Sequence, residues 1–407
     1  MTEYEFLSVE NIASYLAERA ETHAVIDAQN LVEIKEVGDG NLNLVFIIRD
    51  RDSKGIVLKQ ALPYVRLVGP SWPMSPDRAR IEYETIETYS IAAPEFVPKL
   101  YFYDPARYII GMEDLSDHQV WRGALNNGEF HRGSAAAVGE YMARVLFTTS
   151  IFGLGQLKHK QEVARAINPE LSLITEDLVF TEPWFPADRN SYLSENEPDA
   201  NALINDDFMK LEVAALKYSF MTSTEALIHG DLHSGSVMVK ADSHGISQST
   251  KAFDPEFAFY GPCAFDMGAV LANYYIAMAR SVAFERTEHL EYLMELPTQT
   301  WNAFELRYRA LWPSRVDKRI FSDIYLEVLL KGWKLDALGY ASAKMSRRIV
   351  GLAKASDIET LEPALRIGAA RGVLQAAQSI IRERHLDDDI DHITLKVISI
   401  LRNTKTR

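Results

Sequence analysis

The sequence predicts an α+β chain of two lobes, a small β-rich lobe followed by a larger, mainly helical one. Apolar residues alternate early, so that Leu42, Leu44, Phe46 and Ile48 share one face, the period of a strand. Beyond Asp114 the period lengthens: Val138, Met142, Val145 and Leu146 recur at helical spacing, and long helical patterns fill the final third. A chain of 407 residues is long enough for two lobes, each with its own core. The change falls between Met112 and Ser116, which predicts lobes of residues 1–115 and 116–407 with a ligand cleft between them.

Taken in order, Ser8 reads as the N-cap of a short helix carrying Val9, Ile12 and Leu16. The strand at 42–48 is followed, after a polar turn, by a second at Ile56–Gln60. Ser75-Pro76-Asp77 supplies a hydroxyl cap, a proline for the first turn and an acid near the positive dipole end, and so predicts a helix start. Phe96–Tyr103 and Tyr108–Met112 read as a strand pair. In the second lobe Phe208, Leu211, Ala215 and Leu216 predict a core-facing helix, and Ser236–Lys240 with Thr250–Phe253 a lone hairpin.

Composition narrows the class. Hydrophobic residues make up 47% and charged residues 25%, a globular mixture. Net charge is −14, from 57 acidic and 43 basic side chains, which argues against a protein that coats nucleic acid through a basic face. The N-terminus lacks the basic and apolar runs of a signal peptide, and no stretch reaches the ~18 continuous apolar residues of a membrane span. Cys263 is the single cysteine, so no disulfide closes within the chain. A cytoplasmic protein with neither nucleic acid nor membrane as partner is expected.

Four constellations carry chemistry. Gly38-Asp39-Gly40-Asn41 heads a strand, where glycines admit phosphate oxygens to the backbone and Asn41 adds a donor; such a turn is also an ordinary connection. Lys59 on the next strand has two candidate acids in the following helix, Glu82 and Glu84. His229-Gly230-Asp231-Leu232-His233-Ser234-Gly235-Ser236 offers a carboxylate able to orient a hydroxyl and take its proton. A rival reading makes His229, Asp231 and His233 metal ligands. Asp254-Pro255-Glu256 places two hard carboxylates one residue apart, which suits Mg²⁺ bridging nucleotide phosphates. Their order matches the protein-kinase plan, with Ser236 where that plan has Asn and no activation segment, so a small molecule is the expected acceptor.

On these residues, together with Lys59-Gln60-Ala61-Leu62-Pro63-Tyr64, Ser71-Trp72-Pro73, Arg78-Ala79-Arg80-Ile81-Glu82 and Met112-Glu113-Asp114-Leu115, the chain resembles the 5-methylthioribose kinases from about residue 35 to Arg347-Arg348 and beyond. The resemblance implies a protein-kinase-like fold and phosphorylation of the 1-hydroxyl of 5-methylthioribose by ATP and Mg²⁺, in methionine salvage, by a homodimer. It implies that Gly40, Asn41 and Lys59, the last paired with Glu82, meet the phosphates, and that Glu113, Asp114 and Leu115 hold adenine through backbone groups. Asp254, Pro255 and Glu256 would hold the Mg²⁺–nucleotide, with Asp254 and Glu256 on the metal. Asp231, Arg347 and Arg348 would act on the sugar, and Trp72 either covers it or anchors a core. Choline, homoserine and aminoglycoside kinases are the alternatives among enzymes, and a catalytically inert nucleotide-binding regulator is the alternative outside them. Asp266 is expected to brace the loop at Asp231 through backbone amides.

Overall fold

The computed structural model describes residues 4–38, 42–66 and 69–405. A short helix, α1 (Ile12–Ala17), precedes the strands β1 (Leu31–Glu36), β2 (Asn43–Asp50) and β3 (Gly55–Ala61). Helix α2 (Arg78–Ala92) follows, then β4 (Leu100–Asp104) and β5 (Ile109–Glu113). The five strands form one antiparallel sheet in the order β1-β2-β3-β5-β4. Alternation gives it two faces. Phe46, Ile48, Ile56 and Leu58 pack on Ile12 and Leu16 of α1, each burial worth ~1.5–3 kcal/mol. Val57, Ala61, Ile110 and Met112 turn to Ala79 and Tyr83 of α2. Lys59, between Val57 and Ala61, therefore faces α2.

Three boundaries differ from expectation. α1 starts after Asn11, whose Oδ1 accepts the Ser8 amide at 2.8 Å, and Val9 stays exposed. α2 starts at Arg78, because Ser75 spends its hydroxyl on the Asp77 amide at 3.2 Å instead of capping the first turn. β4 starts at Leu100: residues Pro94–Phe96 form a 3₁₀ turn, and Pro98 lacks the amide a ladder needs.

The second lobe continues with a short strand β6 (Gln119–Val120), then α3 (Trp121–Asn127), α4 (Ser134–Thr149), α5 (Ile151–Leu154), α6 (Gln156–Arg165), α7 (Pro169–Leu178), α8 (Glu197–Ile204) and α9 (Asp207–Thr222). After β7 (Ala226–Ile228), β8 (Val237–Ala241), β9 (Ser247–Ala252) and β10 (Phe259–Gly261) come α10 (Ala264–Ala283), α11 (Thr287–Leu311), α12 (Asp323–Val350), α13 (Ser356–Glu359), α14 (Pro363–Glu383) and α15 (Ile390–Thr404). α10 is apolar all round and buried along nearly its whole length, so α11, α12, α14 and α15 gather on it. In α9 the buried row is Met209, Val213, Leu216 and Phe220, while Phe208 and Leu211 are 41% and 68% exposed. The row ending at Phe220 wins because that ring packs on Phe180, Phe259 and Phe265.

The expected hairpin is β8 with β9, but β7 and β10 are also paired, antiparallel, and were too short to show a period. This pair positions the chemistry: the loop 229–236 leaves the end of β7, and 254–256 leads into β10. Among the described residues no helix is long and apolar enough to cross a membrane.

Candidate active site

Lys59 Nζ lies 2.7 Å from Glu82 Oε2 and also bonds Asp254. Glu84 instead pairs with Arg80 and Arg165, so Glu82 is the partner of Lys59. Burial opposes the charge of Lys59, yet Asp254, Glu82 and Glu256 outweigh it and raise its pKa. Glu82 is pushed up to about 8 by burial, with Asp254 and Glu256 adding and Lys59 opposing. Burial likewise raises Glu256. Its Oε2 accepts from Asn43 Nδ2 at 2.8 Å and lies 3.4 Å from Arg78 Nε. Asp254, with φ of 67°, is held in the left-handed region, a strained conformation that turns its half-open carboxylate inward.

Carboxylate oxygens of Glu82, Asp254 and Glu256 lie within 4.8 Å of one another. Three hard oxygen donors face two cations, Lys59 and Arg78, and the cluster balances by keeping a proton on Glu82. The donor set fits Mg²⁺. Pro255 contributes through the backbone, its carbonyl accepting the Ala258 amide at 3.1 Å, which closes the turn between the two acids.

The loop after β7 is braced from α10. Asp266 accepts the His229 amide at 2.7 Å and the Gly230 amide at 3.0 Å, the bracing role expected of it. His229 has no ring nitrogen left for a metal: Nδ1 accepts the Asp231 amide at 3.3 Å and Nε2 donates to Phe253 O at 3.0 Å. That second bond ties the loop to the Asp254 turn. Ser236 Oγ accepts the His233 amide at 2.8 Å and donates to the Asp231 carbonyl, so it fastens the loop. His233 Nδ1 accepts the Gly235 amide, leaving Nε2 to donate to Asp231 Oδ2 at 3.3 Å. Burial pushes His233 down to about 3, so the ring is neutral. The metal reading of these histidines gives way to a hydrogen-bonded frame around one carboxylate.

Asp231 is that carboxylate. Its Oδ1 lies 3.1 Å from Lys344 Nζ and 3.8 Å from Arg347. Burial alone would raise its pKa, but Lys344, His233 and Arg347 hold it well below the usual carboxylate range. The two arginines diverge. Arg347 is buried with Nε unpartnered among the described residues, and its ion pair with Asp231 is long. Arg348 donates to the carbonyls of Ala353 and Lys354 at 3.3 and 3.2 Å, fastening the chain that follows α12. Arg122 of α3 stands beside them, 3.3 Å from Asp357.

The remaining expected residues are spread around this centre. Gly40 and Asn41 lie outside the described residues. Trp72 packs with Val65, Met74, Leu171 and Phe257, the residue after Glu256, and Arg189 sits 5.4 Å from its ring. Glu113 gives its amide to Lys99 O at 2.8 Å and its carboxylate to Lys251 at 3.1 Å, while Asp114 pairs with Arg49 at 2.9 Å. Leu115 accepts the His118 amide.

Comparison with known proteins fits this geometry. Residues 33–305 match the phosphotransferase enzyme family. A methylthioribose kinase of Klebsiella pneumoniae is 38% identical, covering 98% of this chain and 99% of its own length. Those of Enterobacter sp. and Geobacillus kaustophilus are each 40% identical over 86% of this chain, and over 88% and 87% of their own. The chain belongs to the methylthioribose kinase family. It is therefore a kinase, a phosphoryl-transferring enzyme. A glucosamine kinase solved with glucosamine, ADP and inorganic phosphate aligns with a TM-score of 0.52 at 14% identity, covering 93% of this chain and 87% of that one. That likeness carries the fold, which is protein-kinase-like and two-lobed.

The sequence assigns no role to Lys344, Asn43 or Arg78, and to His233 only that of a candidate metal ligand. Lys344 was legible in principle, since it stands three residues before Arg347 on one helical face. Arg78 was not: its role is to donate to the carbonyls of Leu62, Ser75 and Leu42 and to Asn43, joining segments far apart in sequence.

Proposed function

We propose that the protein transfers the γ-phosphoryl group of ATP to the 1-hydroxyl of 5-methylthioribose, giving 5-methylthioribose 1-phosphate and ADP, in methionine salvage. The observation that carries the chemistry is Asp231: an ionised carboxylate at the cleft, clamped by cations of α12 and by a neutral histidine. Family membership supports the sugar.

In this reading Asp231 orients the hydroxyl and receives its proton as the oxygen bonds to phosphorus and the bond to ADP breaks. Asp254 and Glu256 would hold the Mg²⁺, which would neutralise phosphate charge. Lys59, fixed by Glu82, would meet phosphate oxygens, as would Gly40 and Asn41 on the family's pattern. Glu113, Asp114 and Leu115 line the adenine end through their backbone. Arg347 has the unused donor capacity to meet the transferring group, and Arg348 holds the segment that positions it. Trp72 covers the thiosugar. The lobes divide at residues 115 and 116, and the enzyme acts as a cytoplasmic homodimer.

The test is ADP release with 5-methylthioribose, choline, homoserine and kanamycin as acceptors. Turnover on 5-methylthioribose alone is expected. Turnover on only one of the other three overturns the substrate, and none on any favours an inert nucleotide-binding protein.

A further inference from the structure

We infer that Lys344 is a positioning residue for the transfer, holding Oδ1 of Asp231 from α12 so that the carboxylate stays anionic and presents its other oxygen to the acceptor hydroxyl. This rests on the reading of Asp231 as the group that meets that hydroxyl. Three contacts restrain Asp231, and they are unequal. Lys344 is the nearest, at 3.1 Å, and makes a charge-assisted hydrogen bond. Arg347 stands at 3.8 Å on the same oxygen, an ion pair without a hydrogen bond. On Oδ2 the neutral His233 donates over 3.3 Å, a weak bond that an incoming hydroxyl can replace. The contact that persists when the acceptor arrives is the one from Lys344.

Burial points the same way. The Lys344 side chain is 4% exposed, and a buried ammonium is costly unless it is compensated. The groups that face it are few. Asp231 comes from the loop, Asp266 and the ring of Phe265, 4.6 Å from Nζ, from α10, and Arg347 and Arg348 from its own helix. Two of these repel it, and Asp266 is already committed to backbone amides. A methionine would fill the space without that cost, so the position uses the charge. Burial lowers the pKa of Lys344 to about 8 against the pull of Asp231. The ammonium is therefore lost within the range of an ordinary assay. Lys344 neither gives nor takes the proton of the acceptor; that proton goes to Asp231 as the bond to ADP breaks.

The test compares wild type, Lys344→Met and Lys344→Arg. Lys344→Met is expected to lower kcat by about 100-fold while KM for ATP changes less than about 3-fold. Wild-type kcat falls as pH rises past about 8; in Lys344→Met that limb disappears, and in Lys344→Arg part of the rate returns and the limb moves upward. Carbon-13 labelling of aspartate carboxyls, assigned with Asp231→Asn, gives a readout that needs no acceptor: the Asp231 pKa rises in Lys344→Met. Wild-type turnover in Lys344→Met, or an unchanged Asp231 titration in the folded variant, overturns the inference. If Lys344→Met does not fold, an alkaline limb in Lys344→Arg identical to wild type overturns it. Wild-type turnover on 5-methylthioribose is measured alongside and tests the substrate separately.

Discussion

Replacing Gly230 by alanine is the sharpest probe of how the loop and the carboxylate turn are joined. Gly230 has φ of 81°, where a residue with Cβ pays about 1–2 kcal/mol. The added Cβ would lie 2.2 Å from the carbonyl oxygen of Phe257 and 2.7 Å from its carbon, so about 1 Å of separation must be created. Two movements relieve it. Pushing Phe257 away drags its neighbour Glu256 and the contact with Asn43. Pushing the loop away stretches the bonds from His229 and Gly230 to Asp266, each worth about 1.5–3 kcal/mol as a hydrogen bond to a charged group. The summed cost is about 4–8 kcal/mol, a fall of roughly 5–9 °C in melting temperature for a chain of 407 residues. A displacement of about 1 Å at Asp231 or Glu256 costs about 100-fold in turnover. Thermal unfolding and ADP-release kinetics measure the two effects on one preparation. Gly230→Ala with wild-type melting and wild-type turnover would refute the rigid coupling of these segments.

Asp231→Asn should lower turnover by at least ~100-fold while nucleotide binding, measured by calorimetry, is largely kept; near-normal turnover removes Asp231 from its role. Arg347→Ala and Arg348→Ala should both impair turnover but part company in unfolding, because only Arg348 holds the Ala353 and Lys354 carbonyls, whose loss costs about 1–3 kcal/mol; wild-type kinetics in both variants would make the pair structural. His233 remains neutral in the fold down to about 3, whereas the unfolded ring takes up a proton near ~6.5. A depressed histidine pKa means the unfolded chain gains the proton first, so stability falls as pH drops below ~6.5, by about 1.4 kcal/mol per pH unit. His233→Gln should remove that slope in urea unfolding between roughly pH 6.5 and pH 5, and a slope unchanged by the substitution assigns the loss to other groups.

Period and motif made much of this legible beforehand. Alternation from Leu42 to Ile48 put Lys59 on a strand beside its neighbour, and two lobes followed from the switch of period after Asp114. What periodicity could not carry was pairing between short segments. β7 and β10 have three residues each, too few to show alternation, yet their pairing brings 229–236 and 254–256 together. Helix faces were read one step out in α9, because Phe208 and Leu211 are as apolar as Met209 and Val213, and only the aromatic cluster around Phe220 decides between them. The choice between Glu82 and Glu84 needed Arg80 and Arg165, which occupy Glu84. Ionic partners of Asp231 come from α12, more than a hundred residues onward.

The net charge of −14 also conceals the arrangement that matters most for the chemistry. Around Lys59 two cations, Lys59 and Arg78, face three carboxylates, Glu82, Asp254 and Glu256, and that half balances by keeping a proton on Glu82. Around Asp231 four cations, Lys344, Arg347, Arg348 and Arg122, face three carboxylates, Asp231, Asp357 and Asp266, so that half has one positive charge to spare. Buried charge of one sign is expensive, and both halves show it: Glu82 and Glu256 are pushed up, Arg347 and Arg348 down. In the proposed complex a divalent cation would take the place of the proton in the first half, and a phosphoryl group moving toward the second would meet its spare positive charge. The charge pattern thus suits the proposed complex, with α10 supplying Asp266 and α12 supplying Lys344, Arg347 and Arg348.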